Sequence, residues 1–167
     1  MKTFLKPTGL LILSLIILNS CTTDKIKAIS TAAKYKMAKN HDYYPIEKKA
    51  LILINNYRFS EGLAPLKIID HISSQAEKHI DYMITNAVVN HNGFTNRSEN
   101  IIKVLGAEQV GENVAYNYNT PEAVLTAWLN SPGHRENIVG DYTHFGICIK
   151  EHPETGKKYY TNIFAKI

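Results

Sequence analysis

The chain has 167 residues, 44% of them hydrophobic and 20% charged, with 19 basic against 15 acidic side chains and a formal net charge of +4. This length holds one domain with a real core rather than two. The near-balance of charge gives no support for a nucleic-acid partner, which would want a concentrated basic stripe.

In chain order, Lys2 and Lys6 precede the short apolar run Leu10–Leu18, and Leu18-Asn19-Ser20-Cys21 sets a small residue before a cysteine. The segment resembles a bacterial lipoprotein export signal, in which Cys21 becomes the first mature residue and carries palmitate-type acyl chains. Residues 1–20 are then a lipoprotein signal peptide, and Cys21 is the lipidation site. An ordinary secretory signal with an incidental cysteine is the other reading. Nine apolar residues at about 1.5 Å each cover under half of a roughly 30 Å hydrocarbon core, which disfavours a retained membrane helix. Thr22 rather than Asp follows the cysteine, as in lipoproteins released to an outer membrane. The expected location is the bacterial cell envelope, lipid-anchored at the outer membrane and surface-exposed. Loss of 20 residues leaves 147, with 17 basic against 15 acidic side chains. An acylated Cys21 leaves Cys148 without a disulfide partner, so the core must hold the domain.

Residues 21–44 read as a polar tether, with Lys25, Lys27, Lys34, Lys36 and Lys39 serving solubility or contact with anionic headgroups. Pro45 suits the first turn of a helix carrying Ala50, Leu53, Ile54 and Tyr57, which Gly62 ends. A second helix after Pro65 shows one face of Ile69, Ile72, Ala76, Ile80 and Met83 and reaches about Asn86. Asn96 and Glu99 have capping-box spacing for a short helix closed by Gly106. Val110–Tyr116 is a strand candidate. Thr120-Pro121-Glu122 combines a hydroxyl cap, proline at N1 and a first-turn acid, and Ser131-Pro132-Gly133 interrupts that helix. Phe145–Lys150 and Lys157–Ala165 form an antiparallel hairpin around a long turn. Helices first, with strands in the middle and at the end, favour an α+β domain over parallel βαβ units.

Asn90-His91-Asn92-Gly93-Phe94, Gly111-Glu112-Asn113-Val114-Ala115, Trp128-Leu129-Asn130-Ser131-Pro132-Gly133-His134-Arg135-Glu136-Asn137-Ile138 and Phe145-Gly146-Ile147-Cys148 together resemble the motifs of bacterial CAP-superfamily domains. That superfamily includes cysteine-rich secretory, antigen-5 and pathogenesis-related proteins. The resemblance spans about residues 46–167, giving an expected domain of 45–167. It implies an α-β-α sandwich, with a small antiparallel sheet between helices. It also implies a cavity matching His91, Glu112 and His134. Where eukaryotic members place a second glutamate and a second histidine, this chain has Ser131 and Gly140-Asp141-Tyr142-Thr143, so Asp141 is the candidate fourth cavity residue.

His91, Glu112 and His134 are ligand types that zinc accepts, making a divalent cation the candidate cofactor; the other reading is a hydrogen-bonded cluster in which Glu112 fixes an imidazole. Tyr116, Tyr118 and His144 are groove candidates. His71 and His79 read as satisfied helix histidines, His41 and His152 as tether and turn, and Trp128 as core. The expected function is a surface-anchored, non-catalytic module that binds a sterol, lipid or partner protein. An adhesin or host-interaction protein with no small ligand is the runner-up. A hydrolase is third, either metal-dependent through His91, Glu112 and His134 or nucleophilic through Ser131 near His134 with Glu112 orienting it; nothing here resembles a strained nucleophile turn.

Overall fold

The computed structural model describes residues 37–38 and 40–167. The expected signal peptide, the expected lipidation site Cys21 and most of the expected tether lie outside the described residues. Among the described residues five helices and four strands follow one another: α1 (Pro45–Ser60), β1 (Lys67–Ile68), α2 (Asp70–Thr85), α3 (Phe94–Leu105), β2 (Gln109–Tyr116), α4 (Pro121–Leu129), α5 (Pro132–Val139), β3 (His144–Glu151) and β4 (Lys158–Lys166). Among the described residues no helix is long and apolar enough to cross a membrane.

The sheet has the order β1-β3-β4-β2. Both β3–β4 and β4–β2 are antiparallel, whereas β1 pairs parallel to β3 through Lys67–His144 and Ile68–Phe145. The sheet is therefore mixed rather than purely antiparallel. Two exposed residues make up β1, too few to leave an alternating pattern in sequence.

Period-two alternation sorts the strand side chains into two cores. Phe145, Ile147, Ile149, Tyr160 and Phe164 pack with Ala50, Leu51 and Ile54 of α1, Val124 and Trp128 of α4, and Ile138 of α5. Cys148, Ile163, Ala165 and Val114 pack with Ile72, Ala76, Ile80 and Met83 of α2 and Ile101 of α3. This is the α-β-α sandwich: a sheet with helices on both faces. Gly146 lets α2 close in, because a Cβ there would stand 2.3 Å from Ser73 N.

Local chemistry explains most boundaries. Pro45 opens α1, and Glu47 Oε2 accepts the otherwise orphaned Tyr44 N–H at 2.8 Å. Buried Arg58 near the end of α1 donates to the carbonyls of Ile138 and Gly140 at 2.8 and 2.9 Å, tying α1 to α5. Thr120 Oγ1 caps α4 by accepting Ala123 N–H at 3.2 Å. Two boundaries differ from expectation. Gly93, with φ of 75°, precedes α3, so Asn96 and Glu99 lie inside the helix instead of boxing its start. Ser131-Pro132-Gly133 starts α5 as well as ending α4, which places His134 and Arg135 on a helix.

The last residues before α1 lie against the domain. Ala38 N–H donates to His71 Nδ1 at 2.9 Å, and Tyr43 Oη bonds Ser73 Oγ at 2.8 Å. His41, expected as part of a solvated tether, has a side chain only 6% exposed.

Candidate functional site

Glu112 sits in β2, and its side chain is 1% exposed. Burying a carboxylate is costly unless charge and hydrogen bonds accompany it. Arg97 of α3 supplies both, donating from Nε to Oε2 at 2.8 Å and from Nη2 to Oε1 at 2.9 Å. Such a two-pronged fork is the strongest arrangement of this kind. Arg97 Nη1 also donates to Asn92 O at 2.8 Å, fixing the loop that carries His91. His91 Nδ1 lies 2.8 Å from Glu112 Oε1, so the carboxylate holds the tautomer protonated on Nδ1. Burial lowers Arg97 from the ordinary arginine value against the opposing pull of Glu112.

His79 of α2 stands behind this cluster. Its Nε2 donates to Asn90 O at 2.8 Å and lies 3.9 Å from Glu112 Oε1. Burial pushes its pKa down despite Glu112, so it stays neutral. On the other side, the His134 ring of α5 lies 6.4 Å from that of His91, centroid to centroid. Burial, then the neighbouring His91, lowers the pKa of His134. Asn113 Nδ2 donates to His134 O at 2.9 Å, and Asn137 Nδ2 donates to Asn113 Oδ1 at 2.8 Å, locking α5 to β2. Gly111 is required by this approach: a Cβ there would lie 2.5 Å from both Asn137 Oδ1 and Tyr142 Oη.

A cavity of about 290 Å³ opens beside His134, walled by Val114, Tyr116, Tyr118, Trp128 and Ser131. The two expected groove tyrosines line it. His144 does not: it begins β3 opposite Lys67 of β1 and bonds Thr143 Oγ1 at 2.8 Å. Trp128 is 1% exposed and donates from Nε1 to Val114 O at 3.1 Å, so it serves as core and as groove floor.

The structure turns Asp141 outward. Its side chain is 81% exposed and paired with Lys166 Nζ at 2.5 Å, which holds its pKa below the ordinary aspartate value. It is therefore not a cavity acid, because an available lysine and open solvent stabilise the carboxylate better than a buried position would. Metal placement on His91, Glu112 and His134 also fits poorly. Both Glu112 oxygens are engaged by Arg97, one also by His91, and the three side chains do not bring their ligand atoms together. Among the described residues those atoms converge elsewhere: His41, Glu47 and Cys148 each offer one within 4.8 Å of the others. Arg97 and Glu47 were not foreseen as site residues. Both read locally as helix-surface charges, and only tertiary contacts reveal them.

A family model described as "CAP: Cysteine-rich secretory protein family" matches residues 51–164. The chain belongs to the CAP family. The Bacillus subtilis (strain 168) protein YkwD is 37% identical over 105 residues, covering 60% of this chain and 41% of its own length. The membrane protein YlbC of the same organism is 35% identical over 126 residues, 72% of this chain and 34% of its own length. This CAP chain thus spans well under half the length of those two relatives. Among solved structures, an outer surface protein from Borrelia burgdorferi aligns with TM-score 0.68 at 23% identity, covering 78% of this chain and 98% of that one. An extracellular protein containing an SCP domain from Bacillus anthracis str. Ames aligns with TM-score 0.63, also at 23% identity, over 77% and 45%. At these identities the likeness shows the CAP fold alone.

Proposed function

We propose that this CAP protein is a non-catalytic binding module on the outer side of a bacterial envelope, taking an amphipathic ligand of the sterol or lipid class along the Tyr116–His134 groove. One observation carries the reading: an aromatic, apolar channel ends at a histidine with a second histidine nearby. The wall suits hydrocarbon, and the His134/His91 end suits a hydroxyl or carboxylate head. At about 290 Å³ the groove sits at the lower edge of the roughly 300–1,000 Å³ typical of small-molecule sites. It accommodates one acyl chain or one edge of a sterol. Catalysis is disfavoured because Glu112 is committed to Arg97 and His91, leaving a Ser131–His134 pair without that acid as its orienting group. The envelope location is supported by the Lys2/Lys6 to Cys21 signal and by the surface, extracellular and membrane descriptions of the relatives.

Titration of the full chain with a fluorescent fatty acid and a fluorescent sterol tests the reading. Saturable binding to one of them is expected, lost in Ala127→Trp, which fills the groove, and retained in Lys103→Ala, far along α3. No saturable lipid binding alongside saturable binding of a protein partner reverses the ranking toward an adhesin.

A further inference from the structure

We propose that His41, Glu47 and Cys148 form a zinc site that fastens the segment ahead of α1 to strand β3, separate from the groove and independent of its function. His41 lies before α1, Glu47 in its first turn and Cys148 in β3. Their ligand atoms all lie within 4.8 Å of one another. His41 Nε2 and Glu47 Oε1 are 3.6 Å apart, close to the about 3.4 Å separation of nitrogen and oxygen ligands on a tetrahedral zinc.

Two further observations point to a bound cation. His41 Nε2 is buried without a hydrogen-bond partner, on a side chain 6% exposed, facing Glu47. A buried imidazole nitrogen left unpaired is costly, and a metal bond satisfies it. Charge is the second. Glu47 is 1% exposed, and among the described residues no lysine or arginine lies within ion-pair distance of its carboxylate. A zinc ion with one thiolate, one carboxylate and one neutral imidazole sums to zero, so burial costs little for the assembled site. Glu47 Oε1 also accepts Ile149 N–H at 2.9 Å, and the Cys148 thiol hydrogen-bonds the same carboxylate, so the ion takes the place of that thiol proton.

The surroundings complete the arrangement. Glu77 Oε2 faces His41 Nδ1 at 3.7 Å, the carboxylate–histidine pairing that orients metal-bound imidazoles. Lys150 Nζ holds the other Glu77 oxygen at 2.9 Å. Sulfur, nitrogen and oxygen together suit zinc better than magnesium or calcium, and water supplies the fourth ligand. Coordination displaces the Cys148 thiol proton to solvent as the Zn–S bond forms. A cavity of about 690 Å³ lined by Tyr44, Ile46, Glu77, Ile149 and Lys150 lies next to the group, reaching Glu77, which faces His41.

The test uses the untagged full chain in detergent, in a Cys21→Ser background so that Cys148 is the single thiol. After chelation and reduction it is titrated with Co²⁺, then displaced with Zn²⁺. One-to-one Co²⁺ binding with a near-ultraviolet thiolate-to-metal band is expected. The band should vanish in Cys148→Ala and His41→Gln, persist in His134→Ala, and form with about tenfold weaker affinity in Glu77→Gln. His41→Gln lies outside the helices and strands, so it remains informative if Cys148→Ala fails to fold. Absence of saturable binding, binding without the thiolate band, or a band that survives His41→Gln overturns the proposal.

Discussion

Glu47 and Glu112 are the same residue type, each with a side chain 1% exposed, yet they are satisfied in different ways. Glu112 receives a guanidinium fork from Arg97 and an imidazole N–H from His91. Its charge is neutralised within the protein. Glu47 receives two backbone N–H groups, Tyr44 on Oε2 and Ile149 on Oε1. Those bonds satisfy its oxygens but bring no full positive charge. The His41 ring beside it is the one ion-pair partner among the described residues. A buried carboxylate can thus be complete in hydrogen bonds and still incomplete in charge. The first cluster is closed to a metal and the second is open to one.

The contrast is broken most forcefully at Arg97. Arg97→Met leaves Glu112 buried with only the imidazoles of His91 and His79 beside it, and should cost about 3–5 kcal/mol, read from urea denaturation. Replacing both partners, as Arg97→Met with Glu112→Leu, should recover much of that loss, because removing a buried pair together is often nearly neutral. A single-mutant loss below about 1 kcal/mol would mean that water reaches Glu112 and that its charge is not held by Arg97.

Glu47→Gln should have a smaller effect. The amide keeps one carbonyl oxygen and replaces the other with an NH₂ group, so it can accept from Tyr44 N or Ile149 N but not both. In metal-free protein the lost acceptor should cost about 1–3 kcal/mol. Amide hydrogen exchange should show which N–H was released, at the start of α1 or in β3. Unchanged stability and unchanged exchange at both positions would show that Glu47 neither caps α1 nor ties it to β3.

Features encoded within a few residues are legible in the amino-acid order itself. Thr120-Pro121-Glu122 opens α4 as its chemistry dictates, and the Ile72–Ala76–Ile80–Met83 face is wholly buried. Features that depend on distant partners are not. The β1 strand exists only because β3, more than 70 residues later, offers an edge. Arg97 is the working residue of α3, but a lone arginine on a helix gives no sign of burial. The family motifs draw His91, Glu112 and His134 to one region, whereas spacing alone does not. The expectation for Asp141 fails because a position in a short loop does not fix the direction of a side chain, and Lys166 takes it. The His41–Glu47–Cys148 group spans the start of α1 and the middle of β3, a separation that no local pattern bridges.

The smallest expected effect is acid sensitivity, and it sharpens the comparison from the Glu112 side. Burial lowers the pKa values of His71 and His79 in the folded chain. For His71, Nε2 bonds Asn100 Oδ1 at 2.7 Å while Nδ1 accepts the Ala38 N–H at 2.9 Å. The carbonyl of the amide requires a proton on Nε2, and the amide N–H requires a bare Nδ1, so the neutral ring is the one that fits. For His79 only Nε2 is held, by Asn90 O at 2.8 Å, while buried Nδ1 has no hydrogen-bond partner among the described residues that would favour a second proton. When the folded pKa is depressed, the unfolded chain takes up protons first. The stabilisation is therefore complete above the unfolded value of about 6.5 and is lost as pH falls from there toward the lower folded value. Urea midpoints should drop between pH 7.5 and pH 5.5, and the drop should flatten in His71→Gln and again in His79→Gln. In the first variant Ala38 should also exchange faster, since its acceptor has changed. A midpoint that rises on acidification, or a slope untouched by either substitution, would show that these rings are not held neutral by burial. Glu112 would then share its charge with His79 as well as with Arg97 and His91.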